Sequence, residues 1–141
     1  MDGVTTQTWL IHLNREECES RLAASTLGRL AVIVGARPEI FPVSYIVDSS
    51  GCVAFPTDSG TKLASALDWP WIGFEIDGVE SDRDEGWSVM IVGRAEEIVD
   101  SFQLTWLREH QRVGWRRSGT EQWLRVVPTK VTGRRISTSN Y

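Results

Sequence analysis

The sequence predicts a mainly β (α+β) domain, an antiparallel barrel of about seven short strands with helices at its periphery. Three observations predict it. Short β-branched or alternating apolar runs recur over residues 30–34, 39–47, 52–55, 72–76, 87–99, 123–127 and 130–136. The links between the early runs are too short for parallel crossovers, which need a dozen or more residues. Turn chemistry separates them, as in Gly35-Ala36-Arg37-Pro38 and Asp48-Ser49-Ser50-Gly51. Helical patterning is confined to three segments, which leaves the strands to close on one another as a barrel or partial barrel.

The elements follow in order. Asn14 is a good N-cap, Glu17 completes a capping box, and Leu13 and Cys18 occupy the two staple positions. A helix therefore runs to about Ala24, and residues 1–13 read as an N-terminal extension. Residues 30–34 and 39–47 form a hairpin, and residues 52–55 a third strand. A helix over 61–67 stops before Trp69-Pro70. Ile72, Phe74 and Ile76 alternate with Gly73, Glu75 and Asp77, a strand with one buried face. A polar loop spans 77–85. One long strand over 87–99 carries a bulge or bend at Gly93. Asp100 or Ser101 caps a helix to about His110. Two last strands, 123–127 and 130–136, are separated at Pro128.

At 141 residues the chain reads as one domain, residues 1–141, large enough for a real core. The net charge of −4 argues against non-specific nucleic-acid binding. Neither a membrane-spanning run nor a leader pattern is evident, so a cytoplasmic protein is expected. Cys18 and Cys52 lack C-x-x-C spacing and read as reduced thiols. His12 and His110 stand apart, and the acidic loop 77–85 lacks the calcium-loop pattern, so no metal is expected. With no nucleophile elbow or acid–base pair evident, any chemistry has to come from a cofactor.

The stretch Phe55-Pro56-Thr57-Asp58-Ser59-Gly60-Thr61-Lys62-Leu63-Ala64 is where a phosphate-bearing cofactor would sit. A strand breaks into hydroxyls, a glycine and a lysine that open a helix, whose first amides lack internal partners and carry partial positive charge. Lys62 is one of two lysines in the chain. Taken alone, the stretch fits an ordinary helix cap at Ser59 or Thr61 better than an anion site.

Five segments in register change that balance. They are Leu27-Gly28-Arg29-Leu30-Ala31-Val32, then Pro38-Glu39-Ile40-Phe41-Pro42-Val43-Ser44-Tyr45-Ile46-Val47-Asp48, then Phe55-Pro56-Thr57 with Gly60-Thr61-Lys62-Leu63, then Gly86-Trp87-Ser88-Val89 with Gly93-Arg94-Ala95, and Thr132-Gly133-Arg134-Arg135-Ile136. Over residues 14–137 the chain resembles the pyridoxamine 5′-phosphate oxidase-like, FMN-binding split-barrel family, in its small single-domain branch. The resemblance implies a six-stranded split β-barrel working as a homodimer, with FMN in clefts between the subunits. It implies that Pro42, Val43, Ser44 and Tyr45 run along the flavin ring through backbone atoms. Thr57, Thr61 and Lys62 would hold the phosphate, and Trp87 and Ser88 would approach the ring. Trp123 and Arg125 would complete the site from the partner subunit. Tyr45 and Trp87 are equally suited to the core, Trp123 is better suited to the dimer interface than to stacking on flavin, and Arg29 and Arg94 suit either the phosphate or surface carboxylates.

The function implied is an FMN-dependent oxidoreductase. A deazaflavin-dependent reductase and a non-catalytic flavin-storage dimer, with cofactor binding weakened or lost, are the alternatives. Two departures bear on these. The resemblance implies arginine where Pro56 stands and asparagine where Ser44 stands. Proline removes a charge and a backbone donor together. A charge-assisted hydrogen bond contributes roughly 1.5–3 kcal/mol, so its loss predicts flavin binding about ten- to a hundredfold weaker.

Overall fold

Eight strands, all paired antiparallel, form a single sheet among the described residues. The computed structural model describes residues 7–57, 68–69, 71–111 and 121–138. The helix expected over 61–67, with Thr61 and Lys62, lies outside them, as does most of the polar stretch 111–120. The strands are β1 (Trp9–Leu13), β2 (Leu27–Val34), β3 (Arg37–Ser44), β4 (Ile46–Val47), β5 (Val53–Thr57), β6 (Ile72–Glu80), β7 (Glu85–Ile98) and β8 (Gln122–Ser137). Helix α1 (Arg15–Ala24) follows β1, and α2 (Ser101–His110) follows β7. The order across the sheet is β3-β2-β6-β7-β8-β5-β4, and β1 pairs with the C-terminal half of β8. This is the split-barrel architecture with peripheral helices. Neither described helix is long and apolar enough to cross a membrane.

Local chemistry explains the elements. Asn14 caps α1 by accepting from the Glu17 amide at 2.8 Å, and Glu17 accepts from the Asn14 amide in return. Leu13 and Cys18 are both buried beside this cap. Gly35 and Ala36, both at positive φ, make a two-residue hairpin turn between β2 and β3. Asp48 holds the next turn by accepting from the Ser50 amide, the Ser50 hydroxyl and the Cys52 amide. The second predicted strand breaks at Tyr45, whose amide donates to the Thr26 carbonyl and whose phenol donates to the Leu22 carbonyl at 2.6 Å. That pair of bonds bends β3 into β4 and ties both to the end of α1.

Further boundaries differ from the sequence expectation. Residues 9–13, within the expected N-terminal extension, form a strand paired with β8. The third strand continues through Pro56 and Thr57. The strand read as ending near Asp77 continues to Glu80, because Gly78 lies under the Trp87 indole, where a side chain would approach to 2.7 Å. Only a short 3₁₀ turn, Ser81–Arg83, then links β6 to β7. Finally, the last two predicted strands are one. Pro128 pairs with Gly93 while Lys130 pairs with Val92, so Thr129 is an extra residue in β8. Pro128 sits at this bulge, where a missing N–H is tolerated, and does not end the strand.

The bulge also fixes which side chains point inward. Leu124 and Val126 are buried before it, and Gly133 and the packed Val131 after it. Without the extra residue, one half of β8 would turn its apolar set to solvent. The barrel core gathers Leu30, Val32, Phe55, Phe74, Ile76, Val89, Ile91 and Leu124, with the Tyr45 ring edge-on to Phe74 at 5.0 Å. A second, smaller core lies outside the barrel wall, where Ala54, Ile98 and Trp123 meet Leu107 of α2.

Candidate functional site

The sheet opens between β3 and β5. β3 is one end of the strand order and the two-residue β4 is the other. Among the described residues the β4 ladder covers Val53 and Ala54 of β5 and stops before Phe55. Cα atoms of β3 and β5 come within 8 Å of each other although no ladder joins them. The opening is therefore flanked by the edge of β3 and by the C-terminal end of β5, which ends at Thr57, the first residue expected to hold phosphate.

The edge of β3 has a defined polarity. Pro38 and Pro42 occupy the same parity in the ladder with β2, opposite Ile33 and Arg29. Proline cannot donate to a ladder, so this parity is the one turned from β2 towards the open edge. The backbone groups of Ile40, Pro42 and Ser44 point that way, and the two prolines leave the edge richer in acceptors than donors. The side chains alternate: Val43 and Tyr45 enter the core, Pro42 is exposed and Ser44 half-buried. Val43 and Tyr45 turn neither side chain nor polar backbone groups to this edge: their side chains are buried, their parity faces β2, and the Tyr45 amide donates to the Thr26 carbonyl.

Thr57 is 6% exposed and shares the inward side of β5 with Val53 and Phe55. Pro56 is on the opposite side, paired with Trp123. Trp87 is half-buried, stacked under the Arg21 guanidinium at 4.4 Å and backed by Gly78. Ser88 lies on the outer face between Asp77 of β6 and Arg134 of β8. Trp123, 2% exposed, is packed under α2. Arg125 meets Asp48 at 3.2 Å, Glu96 at 3.2 Å and the Gln103 amide oxygen. Within one chain the fold brings residues 42–45 and Thr57 to the opening and sets Trp123 and Arg125 on the other side of the β5–β8 wall. Thr61 and Lys62 lie outside the described residues.

A groove of about 440 Å³ adjoins Pro42 and is lined also by residues 24–29 and Asp77. On its rim Arg29 bridges Asp77 at 3.0 Å and Glu75 at 3.4 Å, so Arg29 takes the carboxylate role among those foreseen for it. Burial, then the hydrogen bond and charge of Asp77, push the Glu75 carboxyl above its usual range, and Arg29 offsets this only in part. Gly28 lines the groove and leaves room for the core Phe74 ring, which a side chain there would strike. The Leu27-Gly28-Arg29 segment carried this signal in the sequence, but the carboxylates facing Arg29 are 46 and 48 residues away and only the β2–β6 register reveals them.

The family model described as pyridoxamine 5′-phosphate oxidase matches residues 14–135. The uncharacterized protein Rv0080 of Mycobacterium tuberculosis is 30% identical over 134 residues, covering 90% of this chain and 86% of that protein. The solved structure of the FAD binding protein from Mycobacterium smegmatis is similar at a TM-score of 0.75 and 34% identity, over 88% of this chain and 98% of that one. An FAD-binding protein from Mesorhizobium loti, 22% identical, shares the fold at a TM-score of 0.73 over 89% of this chain and 97% of that one.

Proposed function

The chain belongs to the pyridoxamine 5′-phosphate oxidase family, and from that premise we propose that it binds a flavin nucleotide at the opening between β3 and β5, as a pair of copies, and works as an oxidoreductase. The observation that carries this reading is the opening itself, which has an acceptor-rich strand edge on one flank and the strand end leading to the phosphate stretch on the other. The 34%-identical Mycobacterium smegmatis protein, described as FAD binding, supports a flavin. The adjoining groove of about 440 Å³ is of a size suited to a small-molecule site.

The residues fit a flavin in part. Backbone carbonyls at the β3 edge suit the N3–H of the flavin's pyrimidine ring, and the Thr57 hydroxyl is of the type that holds phosphate. Pro56 offers neither charge nor amide. A bound flavin supplies hydride or single-electron transfer. The chain's own part is orientation: Tyr45 pins the bend after β3, and Arg21 and Gly78 fix the Trp87 ring. FMN, with a single phosphate, is the cofactor named by this reading; FAD is the alternative raised by the relative, and a deazaflavin coenzyme a third.

Titration of the purified protein with FMN, FAD and a deazaflavin tests the reading. Saturable binding of FMN is expected, and Pro56→Arg should tighten it about ten- to a hundredfold. Binding of FAD with exclusion of FMN would replace the cofactor and keep the site. Failure of all three would overturn the reading. A flavoprotein that nicotinamide donors reduce supports the oxidoreductase; a flavoprotein that no donor reduces favours the storage dimer, the reading to which Pro56 points.

A further inference from the structure

The groove beside Pro42 has a charged end to which the flavin reading gives no task. Its lining runs from the end of α1 through residues 24–29, with Pro42 of β3 and Asp77 of β6 completing it. Leu27 and Pro42 are exposed apolar surface, Ser25 and Thr26 supply hydroxyls, and Arg29 with Asp77 makes the charged end. Arg29 is held there by one nitrogen. Its Nη1 donates to Asp77 Oδ2 at 3.0 Å and to Glu75 Oε1 at 3.4 Å. Among the described residues its Nε and Nη2 make no hydrogen bond or ion pair.

The planar guanidinium is thus fixed at one corner with its opposite edge unused. Nε–H and Nη2–H lie side by side on that edge and point the same way, which matches the two oxygens of a carboxylate. Two carboxylates on Nη1 order the side chain before any ligand arrives, and this lowers the entropy cost of binding. The carbonyls at the end of α1, which repel anions, are already occupied: Arg21 accepts from the Ser25 amide, Leu22 from the Tyr45 phenol and Thr26 from the Tyr45 amide. The neighbours also choose between anions. Two carboxylates stand against one guanidinium, so the field disfavours a doubly charged phosphate ester more than a singly charged carboxylate. Burial and Asp77 make Glu75 hold its proton more tightly than an ordinary carboxyl, which takes the cluster towards neutrality.

We propose that this groove receives a small organic acid, the substrate of the oxidoreductase, with its carboxylate on the Nε–Nη2 edge of Arg29 and its apolar body on Leu27 and Pro42. The assignment rests on the flavin reading and names its substrate class, since Pro42 is common to the groove and to the β3 edge where the flavin would lie. A volume of about 440 Å³ is at the small end of ligand sites and suits a compact acid.

Benzoate is the probe, titrated into the full chain without flavin and followed by calorimetry and by amide NMR shifts. Saturable binding that moves the amides of residues 25–29 is expected. Arg29→Lys keeps the charge and removes the paired donors; it should weaken benzoate about ten- to a hundredfold with the fold intact by circular dichroism. Glu75→Gln leaves Asp77 to hold Arg29, removes one negative charge and should tighten benzoate about two- to fivefold. Phenyl phosphate should bind more weakly than benzoate, and benzylamine should leave these amides unmoved. In the flavin-bound protein, benzoate should perturb the flavin's visible spectrum. No shift at residues 25–29, wild-type affinity in Arg29→Lys, or a preference for phenyl phosphate or benzylamine would each overturn the proposal. The two readings fail separately. Benzoate bound by a protein that takes up no flavin keeps the acid site and sinks the cofactor reading, and a flavoprotein whose amides and spectrum ignore benzoate does the reverse.

Discussion

The outer face of β7 and β8 has two halves of opposite character. Under α2, Trp123 is buried against Ala54, Ile98 and Leu107, and Arg125 is held by Asp48, Glu96 and Gln103. Past the Thr129 bulge, Lys130, Thr132 and Arg134 face away from the barrel with no element of the described chain over them. The covered half has its charges neutralised internally and contributes to stability. The bare half carries charges without internal partners and is free to meet something else. A cation's function on this wall is decided by what covers it, not by its strand.

Substitutions sharpen or break that contrast. Trp123→Ala should destabilise the fold by about 3–5 kcal/mol, as expected for truncating a large buried aromatic. Thermal unfolding measures this; a loss below about 1 kcal/mol would mean that α2 does not seal this half. Arg125→Met leaves Asp48, 7% exposed at its side chain, without its cation. The cost should be about 3 kcal/mol, read by denaturant unfolding, with flavin affinity unchanged when compared below the unfolding transition. Weakened flavin binding without lost stability would restore Arg125 to the cofactor site. Arg134→Ala, on the bare half, should change stability by no more than about 0.5 kcal/mol in the same denaturant unfolding.

The smallest effect is one of pH. Glu75 has a folded-state pKa above its unfolded one, so its folded form holds a proton more tightly. That contribution to stability is fully present at pH values below the unfolded pKa and is lost as pH rises through the folded pKa. The melting temperature of wild type relative to Glu75→Gln should therefore be most favourable in acid and decline as pH rises through the carboxylate range. The opposite slope would show Arg29 outweighing burial and Asp77.

Much of the fold was legible because its signals are local. The Asn14–Glu17 box, the Asp100 cap, the hairpin turn at Gly35 and the bulge near Gly93 each follow from a few adjacent residues, and each is present. Signals that depend on pairing were not legible. Pro128 reads as a strand break unless Thr129 is seen as the extra residue facing Gly93. Gly78 reads as the start of a loop unless Trp87 is placed over it. The candidate site divides in the same way. Segment order grouped residues 42–45 and Thr57, and in the structure they flank one opening. Trp123 and Arg125 carry the right chemistry for a ligand, but α2 and Asp48, distant in sequence, occupy their side chains.

The central claim is that a flavin binds where β3 and β5 part, with Pro56 limiting its hold on the phosphate. Flavin titration of wild type and Pro56→Arg side by side tests it most directly. The account predicts saturable binding by both, tighter in the variant by about ten- to a hundredfold. Equal affinities, or no binding by either, would contradict it.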